Sequence, residues 1–135
     1  MADFKKLQVW QKAHALSLCV HRVTTRMRGS QHASTRSQLF RSSASIPANI
    51  AEGRSHKSEN EFARFLGYAV HSATELEYHL ILARDTDRIA ESDFVSLVSQ
   101  TVTVRKMLYG LLKRLAASDP PPEEDPPTGV RPNQQ

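Results

Sequence analysis

Apolar positions recur at steps of three and four almost from the start of the chain. Trp10, Ala13, Leu16, Val20, Val23 and Met27 form one stripe, the pattern of an amphipathic helix with a single buried face. It predicts helix 1 over residues 7–27. Gly29-Ser30 breaks the pattern, and a loop is expected to about Ala33. A second helix is predicted over residues 34–52, with the stripe Leu39, Ser43, Ile46, Ile50 and Gly53. Its face is unusually small, because Ser42, Ser43, Ala44 and Ser45 follow one another, and small residues let a neighbouring helix come close. Pro47 stands in the middle. It has no N–H to give the carbonyl of Ser43, so a kink or a local change of hydrogen bonding is expected there. Gly53 is expected to end the helix in the left-handed conformation.

Ser58 and Glu61 read as a capping box. Phe62, Phe65, Leu66, Ala69, Ala73, Leu76 and Leu80 then carry helix 3 to about Asp85. Helix 4 is predicted from about Ser92, with Asp93 well placed for the helix dipole. Phe94, Leu97, Val98, Thr101, Val104, Leu108, Leu111 and Leu115 take it to about Ala117. No segment alternates with period two for long. The expected fold is therefore all-α, an antiparallel up-down four-helix bundle over residues 1–117. Residues 119–127 hold five of the seven prolines, so residues 118–135 are expected to form a disordered, Pro-rich acidic tail.

Composition narrows the function. The chain of 135 residues is one domain long. Its longest uninterrupted apolar run, Leu80 to Ala83, is far too short for a membrane span. No apolar stretch follows the lysines at the N-terminus, so no signal peptide is expected and a cytoplasmic location is. A lone cysteine, Cys19, excludes an internal disulfide framework. The net charge of +4 is unevenly spread, −3 over residues 118–135 and +7 over the rest. A basic body suggests a polyanionic partner; charge kept for solubility is the plainer alternative.

Few residues suggest reactive chemistry. His71, Glu75 and His79 share one stripe of helix 3, and His14 and His21 one face of helix 1. The di-metal bundle pattern also needs core carboxylates on the other helices, and they are missing here. Solvated histidines are the expected reading. Cys19 reads as a small apolar group rather than a nucleophile served by His14 or His21. There is no phosphate loop, nucleophile elbow or paired cysteine motif. A non-enzymatic protein without cofactor or metal is expected. Five cations are the expected phosphate contacts: Arg36 and Arg41 on helix 2, Arg54 and Lys57 around the following turn, and Arg64 on helix 3. Other cations stand at the start of helix 1 (Lys5, Lys6, Lys12) and on helix 4 (Arg105, Lys106, Lys113, Arg114). Few aromatics interleave with the basic residues, so base stacking finds little support along the chain.

The segment Ser45-Ile46-Pro47-Ala48-Asn49-Ile50-Ala51-Glu52-Gly53 is more specific. It resembles the signature of the four-helix bundle family encoded by intervening sequences in bacterial large-subunit rRNA genes. Phe4-x-x-Leu7-x-Val9-Trp10-Gln11-Lys12-Ala13-His14, Glu61-Phe62-x-x-Phe65-Leu66-x-x-Ala69 and Ser72-x-x-Glu75-Leu76-Glu77 resemble the same family, in its order. The sequence departs from the pattern at Phe40-Arg41, where a basic pair is usual, at His71, where a glycine is usual, and in the loop before Ser37. The resemblance implies an antiparallel bundle. It also implies similarity to the accessory proteins of diversity-generating retroelements, which form five-membered barrels and bind a reverse transcriptase and nucleic acid. Pro47, Asn49, Glu52 and Gly53 are expected to serve folding or assembly. Asn49 and nearby serines are the expected donors to the carbonyl that Pro47 leaves free. Glu52, if buried, would need a partner such as Arg41 or a neighbouring subunit.

The expected function is a homo-oligomeric, pentameric bundle that binds nucleic acid, RNA in particular, through its basic surface. The alternative is a scaffold that docks a reverse transcriptase or another enzyme. Apolar residues such as Leu18, Val70, Ile81 and Val102 lie off the main stripes, which favours self-association; isolated exposed apolar residues are the plainer alternative for some of them.

Overall fold

Four helices joined by short connections make up the fold in the computed structural model, which describes residues 3–118. They are α1 (Gln8–Thr25), α2 (Ala33–Ser55), α3 (Glu59–Asp85) and α4 (Glu91–Ser118). One-turn 3₁₀ segments precede α1 (Phe4–Lys6) and α2 (Ser30–His32). No strand occurs among the described residues. Ser118 is the last described residue of α4, and the remainder of the expected tail lies outside the described residues. α1 packs on α2 and α4, and α3 packs on the same two helices. This is the expected antiparallel up-down bundle. We call the end where α1 and α3 begin and α2 and α4 finish the basal end, and the opposite one the apical end.

The apolar stripes form the core. Leu16, Val20, Leu39, Ile46, Ile50, Leu66, Leu76, Leu80, Leu97, Val104 and Leu108 are almost wholly buried. Burial of this area is the main favourable term in folding. Val70, expected on an outer face, is also buried, and Ile81 packs against the core. α3 therefore buries a wider face than its main stripe, because it fills the angle between α2 and α4. The buried hydroxyls do not oppose close packing. Ser42, Ser43 and Thr101 each donate back to a carbonyl of their own helix, at 2.7, 3.0 and 2.7 Å, so none is left unpaired.

Pro47 lies inside α2, and the helix continues through it. Its ring removes the N–H that would serve the carbonyl of Ser43. That carbonyl accepts instead from the Ser17 hydroxyl of α1, at 2.8 Å. Ser43 is fully buried, where an unserved acceptor costs about 1–3 kcal/mol. The expected donor was Asn49, but its side chain donates to Ser45, at 2.8 Å. The replacement comes from another helix and is out of reach of local reasoning.

Gly53 is a second departure from expectation. It does not end α2 in a left-handed turn; the helix runs on to Ser55, and Gly29 is the only described glycine with positive φ. Gly53 is buried at the α2–α3 contact. A Cβ there would sit 2.7 Å from the Phe65 Cβ and 3.3 Å from the Phe62 carbonyl oxygen. Its lack of a side chain permits close approach of two backbones. The other turns follow local chemistry. Ser58 caps α3 by accepting from the Glu61 N–H, but the Glu61 carboxylate turns to Arg64 at 3.3 Å, so only half the capping box forms. Gly29 (φ 101°) opens the way into α2, and Asp87 (φ 57°) turns the chain after α3.

The Ser17–Ser43 contact predicts a coupled pair of substitutions. Ser17→Ala should destabilise the protein by about 1 kcal/mol. In a Pro47→Ala background, where the helical N–H returns, the same change should cost less than about 0.5 kcal/mol. Chemical denaturation of the four proteins of this double-mutant cycle measures the difference.

Candidate nucleic-acid interface

The five expected phosphate contacts do not form one surface. Arg54 and Lys57 lie at the basal end with Arg64. Arg36 is near the apical start of α2, and Arg41 lies partway along it. Arg36 is also engaged: its Nη1 donates to the carbonyls of Met27 and Gly29, at 2.6 and 2.9 Å. It fastens the α1–α2 connection. Arg41 is exposed and only loosely held, with its Nη2 3.5 Å from the Ser37 hydroxyl.

Other apical arginines are committed in the same way. Arg26 pairs with Asp93 across α1 and α4 at 3.1 Å. Arg84 lies 4.3 Å from the centroid of the Phe94 ring. Arg88 donates to the Gln31 carbonyl and meets His32. Guanidinium groups offer several donors in a fixed fork and stack on rings, which suits them to fastening loops. These arginines hold the connections together and are not spare charge.

The basal end differs. Arg54 lies 5.3 Å over the Phe62 ring, and its Nε is buried without a hydrogen-bond partner. Lys57 is exposed in the α2–α3 turn. Arg64 donates from Nε to the Tyr68 hydroxyl at 2.8 Å and pairs with Glu61. These two partners, Tyr68 first, raise its pKa above an already high ordinary value, so it stays charged. Its guanidinium also lies 5.7 and 5.6 Å from the Phe65 and Tyr68 rings. His56 stacks on Phe65 at 5.2 Å, and Phe65 meets Tyr68 edge-on. The α2–α3 corner thus interleaves cations with aromatic rings. Reading along the chain missed this, because His56, Phe65 and Tyr68 come together only when the turn brings α3 back against α2. The spacing of Phe65 and Tyr68, one helical turn apart, was the available signal.

The structural signature residues sort similarly. Pro47 and Gly53 are buried and Asn49 is partly so. Glu52 is exposed, with its carboxylate 3.9 Å from His56, so it needs no buried partner and does not meet Arg41. His79 lies 3.5 Å from Glu75. Among the described residues, no three His, Cys, Asp or Glu side chains gather as a metal site would require. Cys19 is met by Arg22, whereas His14 stacks on Trp10 and His21 meets Phe40; neither histidine serves the thiol. None of the described helices is long and apolar enough to cross a membrane.

The two arginines of α2 should separate in a stability measurement. Arg36→Ala should lower stability by about 1–2 kcal/mol through loss of its two carbonyl contacts. Arg41→Ala should change it by less than about 0.5 kcal/mol. Thermal unfolding of the two variants checks this.

Comparison with known proteins agrees with this architecture. No curated protein matches the chain. A solved structure of a protein of unknown function from the S23 ribosomal protein family of Bacteroides thetaiotaomicron superposes with a TM-score of 0.73 at 26% identity. The match covers 78% of this chain and 98% of that one. The model of the 23S rRNA-intervening sequence protein family matches residues 5–110, which takes in α1, α2, α3 and most of α4, the buried Pro47 and Gly53 and the basal aromatic corner. The chain belongs to the 23S rRNA-intervening sequence protein family.

Proposed function

We propose that this protein is a non-enzymatic, self-associating helical bundle that binds single-stranded nucleic acid, RNA in particular, at its basal end. The observation that carries the reading is the α2–α3 corner, where Lys57 and Arg64 stand beside Phe65, Tyr68 and His56. Cations neutralise phosphates and exposed rings stack on unpaired bases, the two contributions from which single-strand sites are built. Such bases are offered chiefly by RNA loops and single strands. Self-association has separate support. Phe40, Tyr78, Val95 and Tyr109 are each at least half exposed, and Tyr78 and Tyr109 lie together on the groove between α3 and α4, where a second subunit could cover them. Five subunits, the number that the resemblance to retroelement accessory proteins implies, would repeat the basal charge around a ring and strengthen its attraction for polyanions. The groove between α3 and α4, lined by Val70, Tyr78, Tyr109 and Leu112, favours a second reading, a scaffold for a reverse transcriptase or another enzyme. Recovery of one defined protein partner after nuclease treatment would support that reading.

The nucleic-acid reading is checked by titrating nuclease-cleared protein into labelled single-stranded RNA and duplex DNA over a range of salt. Affinity for RNA should exceed that for the duplex and fall steeply as salt rises. Lys57→Glu with Arg64→Glu should lower RNA affinity at least roughly tenfold. It should also flatten the salt dependence by about 0.7 in log–log slope for each phosphate that the variant no longer neutralises. Arg41→Glu should leave both nearly unchanged. Absence of binding at low salt, or a double variant equal to wild type, would refute the reading. Self-association is checked by light scattering of the same sample, where the mass of a single subunit would count against it.

A further inference from the structure

The +7 carried by residues 1–117 is not accounted for by the α2–α3 corner. A groove of about 610 Å³ runs between the start of α1 and the second half of α4, within the ~300–1,000 Å³ range of ligand sites. Three cations line it: Lys6 from the turn before α1, and Lys106 and Arg114 from α4. Gln8 and Thr103 add polar groups at its edges. None of the three cations has a carboxylate within ion-pair distance among the described residues. The first turn of α1 holds no acidic residue to offset them. Like charges brought together without a counter-charge destabilise a fold, so packing alone gives no reason for this grouping.

The groove wall holds a second oddity. Gly110 sits inside α4, where glycine costs about 1 kcal/mol relative to alanine. Unlike Gly53, it is not required by close packing. A Cβ at Gly110 would meet only the Arg114 Nη1, at 3.7 Å, an ordinary contact. What the missing side chain does is leave the groove open beside the Arg114 guanidinium. The groove between α3 and α4 has a glycine of the same kind, Gly67, but it is lined by tyrosines and holds no cation. Between α1 and α4, open space coincides with three cations that have no carboxylate partner among the described residues, and no carboxylate lines the groove beside them.

We propose that the α1–α4 groove is a phosphate-binding site for the phosphodiester backbone of a nucleic acid, with Lys6, Lys106 and Arg114 as its contacts. Its natural ligand rests on the nucleic-acid reading given above; its phosphate chemistry does not. The groove opens along the side of the basal end, and the α2–α3 corner lies across the same end. One strand can therefore place its bases on the aromatic corner and its backbone in the groove of the same or a neighbouring subunit. The three cations are long side chains of different reach, and only Arg114 can fork two donors onto one phosphate. The groove thus reads charge and spacing and is blind to base identity.

Calorimetric titration of the full chain with inorganic tripolyphosphate tests the groove without bases. Combined Lys6→Ala, Lys106→Ala and Arg114→Ala should weaken tripolyphosphate binding at least roughly tenfold, because charge-assisted hydrogen bonds are removed. Lys12→Ala with Arg41→Ala, two exposed cations outside both the groove and the corner, should weaken it less than about twofold. Gly110→Glu, which keeps every cation and places a carboxylate in the groove, should match the triple variant while the protein remains helical by circular dichroism. Equal weakening by the groove variant and by the Lys12 and Arg41 control would overturn the proposal, because it would mean diffuse attraction to positive charge anywhere on the bundle. A triple variant or Gly110→Glu that binds as wild type does would also overturn it. Repeating the series with a twelve-nucleotide single-stranded RNA separates the two readings. Loss of RNA affinity in the groove variants supports the phosphodiester assignment. Tripolyphosphate bound in the groove while wild type binds no RNA would overturn that assignment and the nucleic-acid reading with it, but leave the groove a phosphate site.

Discussion

The hydrogen bond from the Ser17 hydroxyl to the Ser43 carbonyl is the constraint around which the bundle is arranged. Pro47 removes the helical partner of that carbonyl in the middle of a buried face. The vacancy can be filled only from outside α2, because Asn49 serves Ser45 and the neighbouring serines serve their own turns. α1 must therefore lie close to α2 and at one register. The small side chains of Ser42, Ser43 and Ala44 make that approach possible, and Ser17, on the flank of the α1 stripe, supplies the donor. At the basal end Gly53 does the equivalent work toward α3, where any side chain would strike Phe65. α2 is thus held by two backbone approaches, one to each neighbour. The segment from Ser45 to Gly53 is distinctive for reasons of packing.

That rigid frame decides what the charged residues can do. At the apical end, Arg36 of α2, Arg84 of α3 and Arg26 just after α1 close the connections by binding carbonyls, a ring and a carboxylate. A guanidinium used in this way already has partners on other parts of the chain, which a phosphate would have to share or displace. At the basal end the connections are closed differently. The α2–α3 turn is closed by the Ser58 cap and the Gly53 approach, so no cation there is tied to a loop carbonyl; Arg64 finds its partners, Glu61 and Tyr68, on its own helix. The asymmetry between the two ends follows from how each corner is built, and the net charge of the chain does not reveal it.

The α2–α3 corner shows how rings and charges support each other. Arg64 is held between Glu61 and Tyr68 and lies near two ring faces, and the stack of His56 on Phe65 fixes the plane beside it. Fixed donors and fixed rings lose less entropy on binding than free ones. The corner is therefore preorganised in a way that an exposed lysine such as Lys57 alone could not be.

The four helices and their buried faces were legible in the sequence. A helix places residues three and four apart on one side whatever surrounds it, so Leu16, Ile46, Leu76 and Leu108 announce their burial locally. Pro47 announced a vacant carbonyl for the same reason, since the loss of an N–H is a property of the residue. Which group would fill the vacancy was not legible, because Ser17 is twenty-six positions from Ser43 and is brought near only by packing. Gly53 misled for a related reason: glycine permits both a left-handed turn and a close approach, and the rings of α3 decide between them. The cations were misjudged most. Arg36, Arg54 and Arg64 are alike as letters, but one binds carbonyls, one covers a ring and one is gripped by a tyrosine. Composition and periodicity determined how many charges there are and on which helices they lie. Only the tertiary structure decided which remain available, because availability depends on partners that other parts of the chain supply.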